Sequence, residues 1–354
     1  MSSTRSEKQN REAITEVKDR NNGPTTPTTE RDTDSALPVV GGVEVVALPG
    51  IGTPPAGMSG RVRGFWRLIT HNRKVTVGLI IVTFFVLMAI FGPLLVQGNP
   101  SAFVGPVLSP PSAAFPLGTT QTGQNVLAQL LAGARETVFW SFLTGLLVTL
   151  ISIAVGLIAG YFGGILDDIL SLLINIFLVL PSFPLAILLA TFFSSRSLLT
   201  VSFAIIVTGW AYNARVLRAQ TMSMRNRDFV EAARANGEHT LRIIFDQILP
   251  NEVAIVAAGF LGTIIYVILA TVGMEFIGLG NVAGSSWGTM LFWVQNNDAI
   301  LQGAYWWFLP PTLCIALLGA GLSLINYGID EIANPRLRET RTVVKRQQKR
   351  AKAQ

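Results

Sequence analysis

The chain has 354 residues, of which 50% are hydrophobic and only 14% are charged. Soluble globular proteins carry about 25% charged residues, so this composition excludes an ordinary soluble enzyme. The single cysteine, Cys314, excludes a disulfide framework, and with two histidines neither a histidine metal site nor a Ser-His-Asp triad is expected. The net charge of +6 indicates a nucleic-acid partner only if the basic residues share one surface. The positions of these residues along the chain decide whether they do.

The predicted elements begin with a polar N-terminal tail. Residues 1–60 are rich in Thr, Pro, Gly and charges of both signs, which predicts a disordered cytoplasmic tail, and residues 61–74 form a basic segment beside the membrane. Residues 75–338 are predicted to form an all-α domain of six transmembrane helices, followed by a basic cytoplasmic tail over 339–354. The six apolar stretches that predict these spans are 75–96, 137–161, 170–193, 198–214, 253–274 and 306–327. Prolines inside the third and sixth stretches predict bends there.

The basic residues predict the orientation of the chain. Of the 27 lysines and arginines, all except Arg135 and Arg196 lie in residues 1–74, in residues 215–250 or after Tyr327. Cytoplasmic segments of membrane proteins are enriched in lysine and arginine, so both termini and residues 215–250 are predicted to be cytoplasmic. The positive charge therefore indicates a multi-pass protein that contacts anionic membrane lipid, and it does not indicate a nucleic-acid partner.

The longest predicted cytoplasmic loop, residues 215–250, contains a patterned segment. Asp228 is predicted to be the N-cap of a short helix, because Glu231 follows three residues later as in a capping box. Gly237 is predicted to end this helix, since glycine adopts the left-handed conformation that helix stops require.

A second, amphipathic helix is predicted over 240–249, with Pro250 ending it before the fifth span. The residues alone allow two interpretations of the whole loop. It is either a solvated helical hairpin that joins two spans, or a docking surface for a partner protein.

The run Glu231-Ala232-Ala233, then Gly237, then Leu249-Pro250 resembles the EAA loop of bacterial ABC importer permeases. The resemblance implies a type I ABC importer permease fold. In that family the short helix lies in a cleft on the ATP-binding subunit and transmits its closure to the membrane helices. The resemblance assigns this ATPase-coupling role to Asp228, Phe229, Glu231, Ala232, Ala233, Gly237, Leu249 and Pro250.

Further motifs lie outside the loop, in order along the chain. Residues 116–127 read PLGTTQTGQNVL, 160–164 read GYFGG, 286–291 read SWGTML and 334–336 read NPR. Together with RDFVEAA at 227–233, they are similar to motifs of the oligopeptide/dipeptide/nickel permease family. The chain resembles the C-type permease subunit of that binding-protein-dependent family from about residue 61 to residue 338.

The outer motif departs from the family's usual L-G-T-D-x-x-G-R-D-V-L. Thr120, Gln124 and Asn125 replace Asp, Arg and Asp, and Asn334 replaces the Asp before Pro-Arg. Two interpretations stay open: neutral change at a structural turn, or a site adapted to a less charged substrate. Most aromatic residues of the last outer segment are expected to form an interfacial belt. They are Trp287, Phe292, Trp293, Tyr305, Trp306 and Trp307.

The chain contains no G-x-x-x-x-G-K-[ST] motif, because no lysine follows a glycine. It is therefore predicted to be no enzyme and to hold no cofactor or metal, and the resemblance implies that partner subunits bind ATP and Mg²⁺. The resemblance implies a second homologous permease, two ABC ATPase subunits and an extracytoplasmic substrate-binding protein as partners. The expected function is uptake of oligopeptides or dipeptides across the bacterial plasma membrane, with oligosaccharides or nickel as alternative substrates.

Polar and small residues within the spans complete the sequence-based predictions. The asparagines that are candidates for the translocation path, or for hydrogen bonds between helices, are Asn175, Asn213 and Asn326. Gly156-x-x-x-Gly160 and Gly160-x-x-x-Gly164 predict close helix packing. The alternatives to an ABC importer subunit are a stand-alone secondary transporter and a membrane scaffold. Neither of these needs an ATPase that co-purifies with the chain.

Overall fold

A computed structural model describes residues 72–96 and 98–333 of the chain. These residues form helices joined by turns, and the only β-type pairing among them is an isolated bridge between Thr119 and Asn125. The all-α class predicted from the sequence is confirmed. The helices are α1 (Arg73–Leu95), α2 (Val126–Phe162), α3 (Gly164–Val179), α4 (Ser182–Phe192), α5 (Leu198–Gly209), α6 (Ala211–Met224), α7 (Asp228–Ala235), α8 (Thr240–Phe276), α9 (Trp287–Asn296) and α10 (Tyr305–Ala333). The predictions that lie outside the described residues concern 1–60, 61–71, 334–338 and 339–354.

Four of the described helices, α1, α2, α8 and α10, are long and apolar enough to cross a membrane. Helices α3 and α4 together make a fifth candidate span, with axes that bend by 90° at a short break. The predicted span 198–214 is divided at Trp210 between α5, which has 12 residues, and α6. Each predicted apolar stretch therefore falls on one helix or on a consecutive pair.

The two predicted proline bends differ in outcome. In the third stretch the chain leaves the helix at Leu180, whose ψ of 130° is the extended conformation that a following proline favours. Helix α4 then begins after Pro181. In the sixth stretch α10 continues as one 29-residue helix through Pro310 and Pro311, which lie near its start.

Helix α2 has 37 residues, as many as α8, and it contacts α1, α5, α6 and α8. Its closest neighbour is α6. A Cβ added to Gly156 would lie 2.8 Å from the carbonyl oxygen of Ala214, and one added to Gly160 would lie 2.6 Å from Cβ of Thr221. The predicted packing role of Gly156-x-x-x-Gly160 is confirmed. The prediction for Gly164 is wrong: it begins α3 with a φ of 58°, and an added Cβ there would have no neighbour within 4 Å.

The largest cluster of buried apolar residues lies between α1, α2, α8, α9 and α10. Trp287 is its largest fully buried side chain, with its ring 5.7 Å from that of Phe85 and its indole N–H donating to the Leu130 carbonyl at 3.0 Å. Trp307 is also buried, whereas Trp293 and Tyr305 are exposed. The expected interfacial belt is therefore wrong for Trp287 and Trp307, because their rings fill the space between helices.

Candidate functional site: the α7 segment and an adjoining cavity

Helix α7 lies in a segment, residues 225–250, that joins α6 to α8. We call it the α7 segment. The helix begins at Asp228, and Arg227 occupies the N-cap position with no hydrogen bond from its side chain. The prediction that Asp228 is the N-cap is therefore wrong by one residue. Asp228 and Glu231 both lie in the first turn, where a carboxylate is favoured by the free N–H groups of the helix end.

The end of α7 agrees with the prediction for Gly237. This glycine has a φ of 77°, its N–H donates to the Arg234 carbonyl at 3.1 Å, and the N–H of Glu238 donates to the Ala233 carbonyl at 3.1 Å. These two bonds form a Schellman motif, which satisfies carbonyl groups that the helix end would leave without partners. Gly237 therefore fixes the length of α7 at eight residues.

One face of α7 packs against the membrane helices. Val230 is fully buried and Ala233 nearly so, in a cluster with Leu157 of α2 and with Ile243 and Ile248 of α8. This spacing of three residues places both side chains on one face of the helix. The contact fixes the position of α7 against the rest of the chain.

Apolar side chains beside this buried face remain exposed. Phe229 is 40% exposed, and in the first turns of α8 Leu241 is 57% exposed and Phe245 is 55% exposed. We call these three residues the apolar face. Charged residues surround them: an exposed ion pair joins Arg242 to Asp246 at 3.4 Å. A lipid-facing surface does not carry such charges, so this apolar face is of the kind that a partner protein covers.

Most residues to which the sequence assigned the coupling role lie at the surface of the α7 segment. The exposed ones are Asp228, Phe229, Glu231, Ala232, Gly237 and Pro250. Leu249 is half-buried, and Ala233 is buried beneath α7. The structure brings these residues together on one segment.

Helix α8 does not end where the sequence predicted. It runs from Thr240 to Phe276 without a stop, and Pro250 lies in its interior. The turn before the proline, Ile243–Ile248, is π-helical. A proline ring clashes with the carbonyl four residues earlier in a regular α-helix, and a wider turn at Asp246 relieves that clash. The prediction that Pro250 ends a separate helix is therefore wrong.

Two polar contacts hold the end of α6 to its neighbours. The guanidinium of Arg218 donates to both carboxylate oxygens of Asp167 in α3, at 2.5 and 2.8 Å. One turn further along α6, the Thr221 hydroxyl donates to Oε1 of Glu252 in α8 at 2.9 Å. Thr221 and Glu252 are both fully buried. Neither contact was predicted from the sequence. The one available signal was a glutamate two residues after Pro250, at the start of an apolar stretch.

A cavity of about 770 Å³ adjoins this region. Helices α5, α6 and α8 and the break between α3 and α4 form its walls, and hydroxyl and amide groups interrupt an apolar lining. Its polar lining residues in the described part of the chain are Thr149, Ser182, Thr208, Tyr212, Asn213, Thr263, Tyr266 and Asn326. None of the described lining residues is charged. Its size falls within the range of about 300–1,000 Å³ typical of small-molecule sites.

The structure separates the three asparagines singled out in the sequence. Asn213 borders the cavity and donates to the Thr263 hydroxyl at 2.7 Å, which joins α6 to α8. Asn326 also borders the cavity, and its buried side-chain oxygen has no hydrogen-bond partner among the described residues. Asn175 is exposed on α3 and is not a lining residue.

The neutral residues of the outer motif have structural contacts. Asn125 is the N-cap of α2, and its side chain accepts from the N–H groups of Leu127 and Ala128 at 3.0 and 3.4 Å. Thr120 is fully buried, and the Gln124 amide donates to the Ser101 carbonyl at 3.0 Å. These contacts favour the interpretation of a structural turn over that of a substrate site.

Comparison with known proteins adds independent findings. Residues 152–339 match the family of binding-protein-dependent transport system inner membrane components, and residues 61–128 match the N-terminal transmembrane domain of oligopeptide transport permease C. The chain is 32% identical to the dipeptide transport system permease protein DppC of Bacillus subtilis over 281 residues, 77% of this chain and 85% of that protein. It is 35% identical to the protein of the same name from Alkalihalophilus pseudofirmus over 288 residues, 78% of this chain and 90% of that one. Among solved structures, the inward-facing MetNI methionine ABC transporter aligns with a TM-score of 0.46 and 21% identity, over 58% of this chain and 94% of that one.

Proposed function

The chain belongs to the family of inner membrane components of binding-protein-dependent transport systems, and from that membership we propose that it takes up dipeptides or oligopeptides. It is a non-catalytic permease subunit of an ABC transporter, and ATP hydrolysis belongs to separate subunits. A binding protein outside the membrane delivers the peptide. Two ATPase subunits, which bind ATP and Mg²⁺, drive its passage between this chain and a second, homologous permease.

The two faces of α7 carry the coupling part of this proposal. Val230 and Ala233 fix the helix to α2 and α8, while the face turned away from them is exposed and carries Asp228 and Glu231, with Phe229 exposed at its edge. A helix that is attached on one side and exposed on the other receives a push from a partner and passes it to the helices beneath. We assign the ATPase contact to this surface, with Asp228, Glu231 and Ala232 beside Phe229 and with Gly237 as the stop.

The topology follows from charge. We assign both termini and the α7 segment to the cytoplasm, because nearly all lysines and arginines lie in those parts of the sequence. Six spans, 75–96, 137–161, 170–193, 198–214, 253–274 and 306–327, then cross the membrane. In this arrangement residues 1–60 and 339–354 are cytoplasmic tails and residues 61–74 contact anionic lipid.

The cavity is the part of the translocation path that we assign to this chain. Its neutral lining suits peptides, because hydroxyl and amide groups bind a peptide backbone whatever its side chains are. Asn213 and Asn326 are the amides in this lining, whereas Asn175 is left out. The peptide substrate is further supported by the two relatives, both named as dipeptide permeases.

The alternative substrates have less support. Aromatic rings of the kind that stack on sugars do border the cavity, at Phe177, Tyr212 and Tyr266, so the preference for peptide over oligosaccharide rests on the two relatives. Nickel prefers imidazole, thiolate or carboxylate ligands, and the described residues that line the cavity offer none of these.

The test is uptake into liposomes that contain this permease with its partner permease and ATPases, with the binding protein outside. A labelled dipeptide is expected to accumulate only when both ATP and the binding protein are present. Cello-oligosaccharide and nickel are supplied in parallel. Uptake of either one without peptide uptake overturns the substrate assignment. Uptake without ATP indicates a secondary transporter, and a chain that binds no ATPase and moves nothing is a scaffold.

A further inference from the structure

The end of α6 that leads into the α7 segment is held by polar contacts to two other helices. Asp167 of α3 binds Arg218, and Glu252 of α8 binds Thr221. We call these four residues the polar link. They lie outside the exposed coupling surface, and none of them lines the cavity.

The Thr221–Glu252 pair closes the α7 segment into a loop of fixed width. Helix α7 is connected to α6 on one side and to α8 on the other, and this hydrogen bond joins the two helices near the base of the loop. Oε2 of Glu252 has no hydrogen-bond partner among the described residues, so Thr221 is its one described partner. Because a polar group buried without a partner is costly, the pair has a strong tendency to stay together.

The Arg218–Asp167 pair extends the contact to α3. Two parallel N–H···O bonds fix the guanidinium and carboxylate in one plane, and Ser171 donates a further bond to Asp167 at 3.0 Å. Because Arg218 lies one turn before Thr221, the same stretch of α6 is held to α3 by one pair and to α8 by the other.

Close packing leaves α6 little room to move separately. A Cβ added to Gly160 of α2 would lie 2.7 Å from the Arg218 carbonyl oxygen as well as 2.6 Å from Cβ of Thr221. The α6 end is thus bounded by α2, α3 and α8. The far end of α3, at Leu180 and Pro181, borders the cavity.

We propose that Asp167, Arg218, Thr221 and Glu252 are positioning residues, which make α3, α6 and α8 move as one body when α7 is displaced. Without the link, a push on α7 widens its loop and is lost before it reaches the helices around the cavity. This inference rests on the proposed function of α7 as the ATPase contact. It adds the means by which the displacement reaches the cavity walls.

The experiment measures peptide transported per ATP hydrolysed in liposomes that contain the complete transporter. Thr221→Val keeps the shape of the side chain and removes the hydroxyl, and it is expected to lower this ratio about tenfold while ATP hydrolysis continues. Thr221→Ser restores the hydroxyl and is expected to restore the ratio. The matched control is Thr144→Val, since Thr144 is a buried threonine of α2 whose hydroxyl has no hydrogen-bond partner among the described residues.

Variants of the second pair keep the test decisive if Thr221→Val does not assemble. Arg218→Lys retains the charge and loses the bidentate geometry, and it is expected to lower the ratio by a smaller factor, about threefold. A normal ratio in assembled Thr221→Val, or in Arg218→Lys where the former does not assemble, overturns the polar link. The α7 assignment is tested separately with Phe229→Ala. If Phe229→Ala also leaves the ratio and ATPase binding unchanged, the proposed coupling surface is wrong, and not the link alone.

Discussion

Helix α8 buries two glutamates, Glu275 at its C-terminal end and Glu252 toward its N-terminal end, and their surroundings differ. At one end Glu275 accepts from the hydroxyl of Ser286 at 2.8 Å, and the next residue, Trp287, lies in the core. At the other end Glu252 accepts from Thr221, but a few residues away Phe245 is exposed. The Glu275 end buries its large apolar side chain within the chain. The Glu252 end pairs its carboxyl group within the chain and leaves apolar surface for another molecule.

The largest expected effect is at the Glu275 end. Trp287→Ala removes the largest fully buried side chain of the core and its bond to the Leu130 carbonyl. We expect it to lower the free energy of unfolding by about 3–5 kcal/mol, measured by denaturant unfolding in detergent micelles. Trp293→Ala is the control, because that ring is 43% exposed and its removal opens no cavity. Equal losses for both variants would mean that burial does not distinguish these tryptophans.

A smaller loss of stability is expected when the contact between α2 and α6, near Glu252, is forced apart. Gly160→Val places a branched side chain against Thr221 and Arg218, and overpacking of this kind costs about 1–3 kcal/mol. The midpoint of thermal unfolding of the purified protein measures it. The matched control is Gly319→Val in α10, since an added Cβ there would meet nothing within 4 Å. A stable Gly160→Val variant would contradict the close packing of the two helices.

The smallest effect on stability is expected at the exposed apolar face. A variant there also tests most directly whether this surface is left for another molecule. Phe245→Ala removes an exposed ring, so the free energy of unfolding should stay within about 0.5 kcal/mol of the unaltered chain. The amount of ATPase that co-purifies with the permease should fall. A loss of stability without a loss of ATPase would show that Phe245 packs within the chain and is no part of the docking surface.

Local features of this fold can be predicted from the sequence. Apolar runs predict the helices, because a bilayer requires about 20 apolar residues from each span. Gly237 predicts the stop of α7, since the left-handed conformation is a property of one residue and its neighbours. The error at Pro250 shows the limit of such rules: a π-helical turn, Ile243–Ile248, lets α8 pass through a residue that usually ends a helix.

Contacts between distant residues could not be predicted in this way. Thr221 and Glu252 are 31 positions apart, and Arg218 and Asp167 are 51 positions apart, so no spacing rule relates them. The burial of Trp287 likewise depends on its contact with Leu130, 157 positions away. In the candidate site, the sequence indicated which residues lie on the α7 segment, but not the contacts that hold α6 to α3 and α8.

The π-helical turn of α8 also determines how the side chains before it are rotated about the helix axis relative to those after it. Each residue of an α-helix advances by about 100°, and a turn with one additional residue rotates everything before it relative to everything after it. Leu241 precedes this turn, while Glu252 follows it. Removing one residue from the turn would therefore rotate Leu241 by about 100° about the helix axis while Glu252 stays facing Thr221. The extra residue therefore lets one continuous helix direct side chains after the turn toward the protein interior and side chains before the turn in a different direction.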